Sequence, residues 1–116
     1  MVDTTPRPST DETFSDVLEY IKLHFLENIT TRDISKKFGY DNTYFCRKFK
    51  AVTGMTVMKY IRLLKLGMAK DLLEHSNDSI KDIAWKCGFA DISHLSNSFK
   101  HVFKMSPAEY RKKKKR

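Results

Sequence analysis

An internal duplication constrains the fold of this chain more than any other feature of its sequence. The stretch DISKKFGY begins at Asp33, and the related stretch DIAWKCGF begins at Asp82, 49 residues later. One extra residue in the second turn then moves the offset to 50, so that Phe45 matches Leu95. Each copy combines a short helical pattern, a glycine followed by an aromatic residue, and a second helical pattern. The duplication therefore predicts two helix-turn-helix units.

A long helical stretch, residues 56–75, separates the two copies. Thr56 can act as its N-cap, and an apolar stripe at helical spacing is formed by Val57, Tyr60, Ile61, Leu64, Met68 and Leu72. Leu63, Leu66 and Leu73 fall on other sides, which predicts a helix that packs from two directions. The alternative is a long core helix of one small bundle. A helix of some 20 residues spans about 30 Å. This length is close to the roughly 34 Å that separates successive major-groove faces on one side of B-DNA.

Capping signals and apolar periodicity predict the other helices and indicate no strand. Residues 1–13 are expected to form a flexible linker, with Thr13 capping a first helix that runs to about Glu27. The expected inner face of this helix consists of Phe14, Val17, Leu18, Ile21 and Phe25. Further N-caps are expected at Thr30, Asp41, Ser79, Asp91 and Ser106. The prediction is an all-α fold of about seven helices, with two helix-turn-helix subdomains joined by a long central helix.

The second helix of each unit has one apolar face, so its opposite face is available to a partner. The expected inner faces are Phe45, Phe49 and Val52 in the first unit, and Leu95, Phe99 and Val102 or Phe103 in the second. The outer faces then carry Thr43, Cys46, Arg47 and Lys50, and in the second unit Ile92, Ser93, Ser96, Asn97 and Lys100. Arg47 suits a bidentate contact to guanine, and Asn97 suits one to adenine. His94 also lies on the second helix and is a candidate contact.

The charge balance favours a polyanionic partner. The chain has 22 basic and 14 acidic residues and a net charge of +8, which fits nucleic acid or an anionic membrane surface without choosing between them. Candidate phosphate contacts are Thr31, Arg32, Asn42, Lys50, Arg62, Lys65, Ser79, Lys81, Ser96 and Lys100. The basic tail, residues 112–116, can add non-specific affinity or remain a solvated end.

The sequence offers no pattern typical of an enzyme, a metal site or a cofactor site. The four histidines and two cysteines lack metal-ligand spacing, and no phosphate-binding glycine loop or nucleophile motif occurs. Cys46 and Cys87 are expected to be reduced thiols, and Trp85 to lie in the core or between the two lobes. No apolar run approaches the roughly 20 residues of a membrane span. We expect a cytoplasmic, nucleoid-associated protein.

From about Phe14 to Arg111 the chain resembles the DNA-binding domain of the AraC/XylS family of bacterial transcription regulators. The likeness lies in DISKKFGYDNTYFCRKFKAVTGMTVMKYI and in AKDLLEHSNDSIKDIAWKCGFADISHLSNSFKHVFKMSPAEYR. The resemblance implies two helix-turn-helix units, at residues 30–54 and 79–104, within a domain of residues 14–111. It implies that both reading helices enter adjacent major-groove segments. The reading positions it implies are Thr43, Cys46, Arg47, Ile92, Ser93, His94 and Asn97.

Two departures from the family accompany this resemblance. Lys104 occupies a place where the family often has glycine, and the second reading helix lacks the larger polar residues that many members carry. The family also usually joins this module to a ligand-binding, dimerisation or phosphoacceptor domain. We therefore expect a module that is itself monomeric, within a protein that dimerises through such a domain.

The leading functional hypothesis is sequence-specific binding of double-stranded DNA for transcription regulation, with RNA polymerase as a further candidate partner. The alternative is a basic helical adaptor that binds a protein such as RNA polymerase and has incidental, non-specific DNA affinity. Selection of sites from random duplexes separates these hypotheses, because only the first predicts an enriched motif. RNA binding is a third possibility, and the lack of exposed aromatic platforms argues against it.

Overall fold

The computed structural model describes the backbone of residues 10–114 and the side chains of residues 14–114. The described residues form seven helices and no strand, as predicted. The helices are α1 (Thr10–His24), α2 (Thr31–Lys37), α3 (Asn42–Thr53), α4 (Val57–His75), α5 (Ile80–Lys86), α6 (Ile92–Phe103) and α7 (Pro107–Lys114). They divide into two compact units, one extending to Ile61 and the other beginning at Arg62.

The helix starts follow the capping residues of the sequence. Thr30 and Asp33 form a reciprocal capping box, in which the Thr30 hydroxyl accepts from the Asp33 N–H at 3.0 Å. The side chains of Asp41, Ser79 and Asp91 cap α3, α5 and α6, each by accepting a hydrogen bond from the backbone N–H three residues on. Equivalent bonds from Thr56 and Ser106 start α4 and α7. The predicted starts of these helices are thus confirmed, because each cap satisfies a backbone N–H that has no partner within its helix.

The predicted start of α1 is wrong. This helix begins at Thr10, so Thr13 lies within it and does not cap it. No proline or glycine interrupts residues 10–24, so the sequence allows the helix to begin soon after Pro8. The rest of the expected linker, residues 1–9, lies outside the described residues. At the other end α7 continues to Lys114, so the first residues of the basic tail are helical.

The core of the first unit is aromatic. Phe14 lies 5.7 Å from Phe45 and 6.0 Å from Phe49, measured between ring centroids, and all three side chains are fully buried. Tyr60 of α4 meets the Phe49 ring edge-on at 5.5 Å. Such pairs add about 0.5–1.5 kcal/mol to the free energy gained by burial. Helices α1 and α3 are held together by these contacts.

The core of the second unit is mostly aliphatic. Its buried members are Leu66, Ala69, Leu73, Ile83, Ala84, Cys87, Phe89, Leu95, Phe99 and Tyr110. The α4 residues among them are not those of the predicted stripe, because Leu64, Met68 and Leu72 are only half-buried. In the first unit α4 buries Val57 and Ile61, which do belong to that stripe. Helix α4 thus supplies a separate set of apolar residues to each unit.

Two other predictions about burial are wrong. Val52 is 36% exposed, because the inner face of α3 continues from Phe49 to Thr53. In α6, of the two residues left open, Phe103 is half-buried and belongs to the inner face, whereas Val102 is 36% exposed. Trp85 is 80% exposed and does not lie in the core. The buried residues of α5 are Ile83 and Ala84, and Cys87 directly after the helix is buried as well, which leaves Trp85 on the opposite side.

Candidate nucleic-acid interface

The first helix-turn-helix unit presents an exposed face of α3. Phe45 and Phe49 anchor this helix in the core, and the exposed side chains opposite them are Thr43, Cys46, Arg47 and Lys50. Within the described residues, Arg47 and Lys50 form no ion pair with a carboxylate. Their positive charges are therefore available to an external anion, and the structure brings together the residues predicted for this face.

A buried serine fixes the start of α3 against α2. Ser35 is 3% exposed, and its hydroxyl oxygen lies 3.2 Å from both the Arg32 carbonyl oxygen and the Asn42 side-chain oxygen. Asn42 is the first residue of α3, so this contact holds its amide in one orientation. The amide NH₂ group remains able to donate to a phosphate oxygen. Asn42 is thus both a positioning residue and a candidate phosphate contact.

A groove of about 450 Å³ opens between α2 and the start of α3. It is lined by Arg32, Asp33, Ser35, Lys36, Tyr40 and Asn42. The one carboxylate among them, that of Asp33, accepts from the Thr30 backbone N–H at 2.9 Å, and this hydrogen bond lowers the pKa of Asp33. Arg32 and Lys36 are exposed on α2 beside it. The groove is therefore rich in groups that donate hydrogen bonds to anions.

The second unit repeats this arrangement with different chemistry. Leu95 and Phe99 anchor α6, and its exposed side chains include those of Ile92, Ser93, His94, Asn97 and Lys100, whereas Ser96 is half-buried. The Asp91 carboxylate caps the helix by accepting from the His94 N–H at 2.8 Å. The His94 ring meets Phe89 edge-on at 5.2 Å, so part of its surface is used in packing.

The corresponding groove of the second unit has a volume of about 380 Å³. Its lining consists of Lys81, Ala84, Trp85, Phe89, Ala90, Asp91, Ile92 and Ser93. The sequence-based prediction that Trp85 is buried is wrong about its place in this groove, although the duplication indicates a surface position. Trp85 aligns with Lys36, and a lysine usually occupies a surface position. Lys36 itself was also missing from the predicted contacts.

The remaining candidate phosphate contacts differ in exposure and in whether they already have a hydrogen-bond partner within the protein. Arg62, Ser79 and Lys81 are exposed. Thr31 is half-buried, and so is Lys65, whose ammonium group donates to the Gly88 carbonyl at 3.4 Å. Lys86, which was not a candidate, pairs with Asp78 at 2.7 Å, and this contact raises the pKa of Lys86. Arg62 and Lys81 are therefore more available to phosphate than Lys65.

The two thiols lie in opposite environments. Cys46 is exposed on the outer face of α3, whereas Cys87 is fully buried at the end of α5. Burial raises the pKa of the Cys87 thiol to about 11. Within the described residues, no group of three histidine, cysteine or acidic side chains could hold a metal ion. In the same part of the chain, no helix is long and apolar enough to cross a membrane.

The helix-turn-helix geometry agrees with a comparison against protein families. A helix-turn-helix domain model of AraC type matches residues 34–113. The chain belongs to the AraC/XylS family. Among curated AraC/XylS proteins it is similar to the HTH-type transcriptional activator RhaS of Citrobacter koseri, with 36% identity over 101 residues, which is 87% of this chain and 36% of that protein. RhaS of Escherichia fergusonii is 36% identical over 103 residues, or 89% of this chain and 37% of the relative. The chain thus spans little more than a third of these relatives.

Several solved structures share the fold. The DNA-binding domain of AdpA, crystallised with a target DNA, has a TM-score of 0.81 at 25% identity, covering 87% of this chain and 91% of that chain. An AraC-type regulator from Chromobacterium violaceum has a TM-score of 0.84 at 27% identity, covering 90% and 94%. The xylose-binding activator XylR has a TM-score of 0.78 at 28% identity, covering 94% of this chain and 29% of XylR.

Proposed function

We propose that this chain binds double-stranded DNA sequence-specifically and regulates transcription. In this proposal α3 and α6 each insert into a major-groove segment, and the two segments are adjacent on one face of the DNA. The observation that carries the proposal is the exposed outer face of α3, where Arg47 forms no ion pair with another described residue, together with its counterpart on α6. The AdpA domain of the same family is bound to a target DNA, and the RhaS relatives are named transcriptional activators.

Base readout is proposed for the outer-face residues. In the first unit these are Thr43, Cys46 and Arg47, and in the second Ile92, Ser93, His94 and Asn97. Arg47 presents a rigid fork of donors that matches the O6 and N7 acceptors of guanine, and Asn97 matches the N6 and N7 groups of adenine. Ile92 and the Cys46 side chain offer small apolar surfaces for a thymine methyl group. The first unit thus supplies the charged readout and the second a more neutral one.

Phosphate contacts are proposed around both reading faces. The set is Thr31, Arg32, Asn42, Lys50, Arg62, Lys65, Ser79, Lys81, Ser96 and Lys100. These contacts fix the register of the protein on the duplex but do not read its sequence. These contacts belong to a proposed DNA-binding domain of residues 14–111, which contains helix-turn-helix units at 30–54 and 79–104 and a linker helix at 56–75. A basic tail at 112–116 follows this domain. Contact with RNA polymerase and dimerisation through another domain belong to the same proposal, which includes no catalytic role.

Selection from random duplexes tests the proposal. We expect an enriched motif whose affinity exceeds that of unrelated duplexes by at least about 10³-fold. Thiol protection provides an independent check, because the selected duplex should shield the exposed Cys46 from alkylation, while the buried Cys87 stays unreactive with or without DNA. Affinity without a motif, depending only on salt, would instead support a basic adaptor whose DNA binding is incidental.

A further inference from the structure

The groove between α5 and the start of α6 contains an exposed tryptophan that the reading face does not explain. Trp85 is 80% exposed and lines this groove with Lys81, Ile92 and Ser93. Ile92 is itself 43% exposed. Large apolar side chains that are exposed together mark sites of contact with a partner more often than isolated ones do. The pair therefore indicates a ligand that covers an indole ring.

The duplication shows what the same position does in the other unit. Trp85 aligns with Lys36 at the offset of 49, and Ile92 aligns with Asn42 at the offset of 50. Lys36 and Asn42 line the groove of the first unit, and Trp85 and Ile92 line that of the second. The groove of the first unit thus carries an ammonium group and an amide where that of the second carries an indole and an aliphatic chain. Equivalent places on the two units therefore differ in chemistry, being polar in the first unit and apolar in the second.

The surroundings of this groove favour DNA as its ligand. The groove shares Ile92 and Ser93 with the proposed reading face, so a duplex seated on α6 passes its opening. Lys81 contributes a positive charge, and the Asp91 carboxylate is engaged in capping α6. An indole can donate its N–H to a phosphate oxygen while its face covers the apolar side of a deoxyribose ring. We propose that Trp85 packs against the sugar-phosphate backbone of DNA bound to α6, an inference that rests on the proposed function.

The chain provides its own reporter for this contact, because Trp85 is its single tryptophan. Binding of the selected duplex is followed by the anisotropy of a labelled DNA, and the state of Trp85 is followed by quenching with neutral acrylamide. We expect a several-fold fall in the quenching constant when DNA is bound, together with a shift in the indole emission. If anisotropy reports binding while acrylamide reaches Trp85 as before, the inference is wrong and the proposed function stands. If anisotropy reports no binding to any duplex, the proposed function itself fails.

Two substitutions separate a backbone contact from an indirect effect. Trp85→Ala should weaken binding roughly five- to tenfold, because it removes the packed ring. Trp85→Lys restores the residue type of the first unit and should steepen the slope of log affinity against log salt by about 0.9, the value for one added phosphate contact. Val102→Ala, which removes an exposed apolar side chain of α6 outside the groove, should change neither quantity.

An unchanged salt slope in Trp85→Lys, with a folded protein by circular dichroism, would place Trp85 away from phosphate and overturn the inference. Equal affinities of Trp85→Ala and Val102→Ala for the selected duplex would overturn it as well. Because Trp85 is exposed, neither of its substitutions removes a core side chain, and loss of folding does not obscure these outcomes.

Discussion

Arg47 is the residue on which the proposed sequence readout depends most. It lies on the exposed face of α3, without an ion pair among the described residues. Arg47→Ala should weaken binding to the selected duplex by about 1–3 kcal/mol and relax the preference at one base pair. Competition binding against single-base variants of the duplex measures both effects. Lys22→Ala, which removes an exposed charge from α1, should leave the preference at every position intact.

If Arg47→Ala lost affinity equally on every duplex, Arg47 would be a phosphate contact and not a reader of bases. That outcome would move the readout in the first unit to Thr43 and Cys46. The remaining specificity of the Arg47→Ala protein thus reports how far these smaller side chains contribute.

The end of α6 is strained at one residue. Lys104 has a φ of 67°, whereas its counterpart in the first unit, Gly54, has a φ of 83° at the end of α3. The left-handed conformation favours glycine, so Lys104→Gly should raise the free energy of unfolding by about 0.5–1 kcal/mol. Gly54→Ala should lower it by about 1 kcal/mol through its φ alone, because an added Cβ would meet no atom within 4 Å.

Urea denaturation measures these differences, and a helical glycine supplies the control. Gly67 lies within α4 in open space, so Gly67→Ala should be stabilising by about 0.5–1 kcal/mol. Opposite signs for Gly67→Ala and Gly54→Ala are the expected pattern. A destabilising Lys104→Gly would mean that the bond from the Lys104 ammonium to the His101 carbonyl, at 3.1 Å, outweighs the backbone strain.

Within the second unit, α7 is fastened to the end of α4 by one arginine. The Arg111 guanidinium donates to the carbonyl oxygens of Leu72, Leu73 and Ser76, at 3.1–3.3 Å, and to that of Asp78. These carbonyls lie in or just beyond the last turn of α4, and that of Leu72 also accepts from the Ser76 N–H at 2.9 Å. Arg111→Ala should therefore lower the free energy of unfolding by about 2–3 kcal/mol.

Arg111→Lys tests the geometry of this contact. A single ammonium group cannot reach four carbonyls arranged around a planar fork, so lysine should recover less than half of the loss. Lys112→Ala, at the exposed neighbouring position, should change stability by no more than about 0.5 kcal/mol. Equal stabilities for Arg111→Ala and Lys112→Ala would show that α7 is not held in this way.

A second contact between α4 and α7 should make stability depend on pH. The Tyr110 hydroxyl donates a hydrogen bond to the Glu74 carboxylate. Burial and this hydrogen bond raise the pKa of Tyr110 to about 12. The same hydrogen bond lowers the pKa of Glu74. The stabilising effect of neutral Tyr110 is complete below its ordinary pKa of 10.0 and is lost as pH rises to about 12. That of ionised Glu74 is present above its ordinary pKa of 4.5 and is lost as pH falls below it.

Comparison with Tyr110→Phe isolates this effect. The difference in unfolding free energy between wild type and variant should be largest between these two pH windows and should shrink in both of them. A difference that stays constant from pH 9 to pH 12 would show that the folded state does not perturb Tyr110 ionisation.

At the scale of helices, the sequence predicted which helices form and where they start better than it predicted which side chains are buried. Capping residues act locally, so six of the predicted starts, from Thr30 to Ser106, could be read without knowing the fold. The inner face of a short helix is harder to predict. The positions three and four residues after a buried residue both lie close to that face, and packing against the neighbouring helix decides which of them is buried. That is why Val52 was predicted to be buried and Thr53 was not. Trp85 was misplaced because its apolar character favours the core, and only its alignment with Lys36 indicates that the position lies on the surface.

For the whole molecule, the duplication predicted the two units, and the separate α4 residues in each core agree with it. The outer faces of α3 and α6 were also predictable, since they lie opposite strongly apolar faces. The DNA sequence that they recognise was not predictable, because it depends on the contacts of individual side chains with bases and on the deformation of the DNA. The 19 residues of α4 give a length of about 28 Å, which underlies the proposed spacing of one DNA turn.

The most direct test of this account is the affinity of the chain for its selected duplex after each part of the site is altered. We predict two enriched blocks whose centres lie about 10 base pairs apart, one for α3 and one for α6. Scrambling either block, or inserting about 5 base pairs between them, should reduce the affinity to that of a single block. If one block alone supported full affinity, or if the inserted half-turn had no effect, two-headed reading of adjacent major-groove segments would be contradicted.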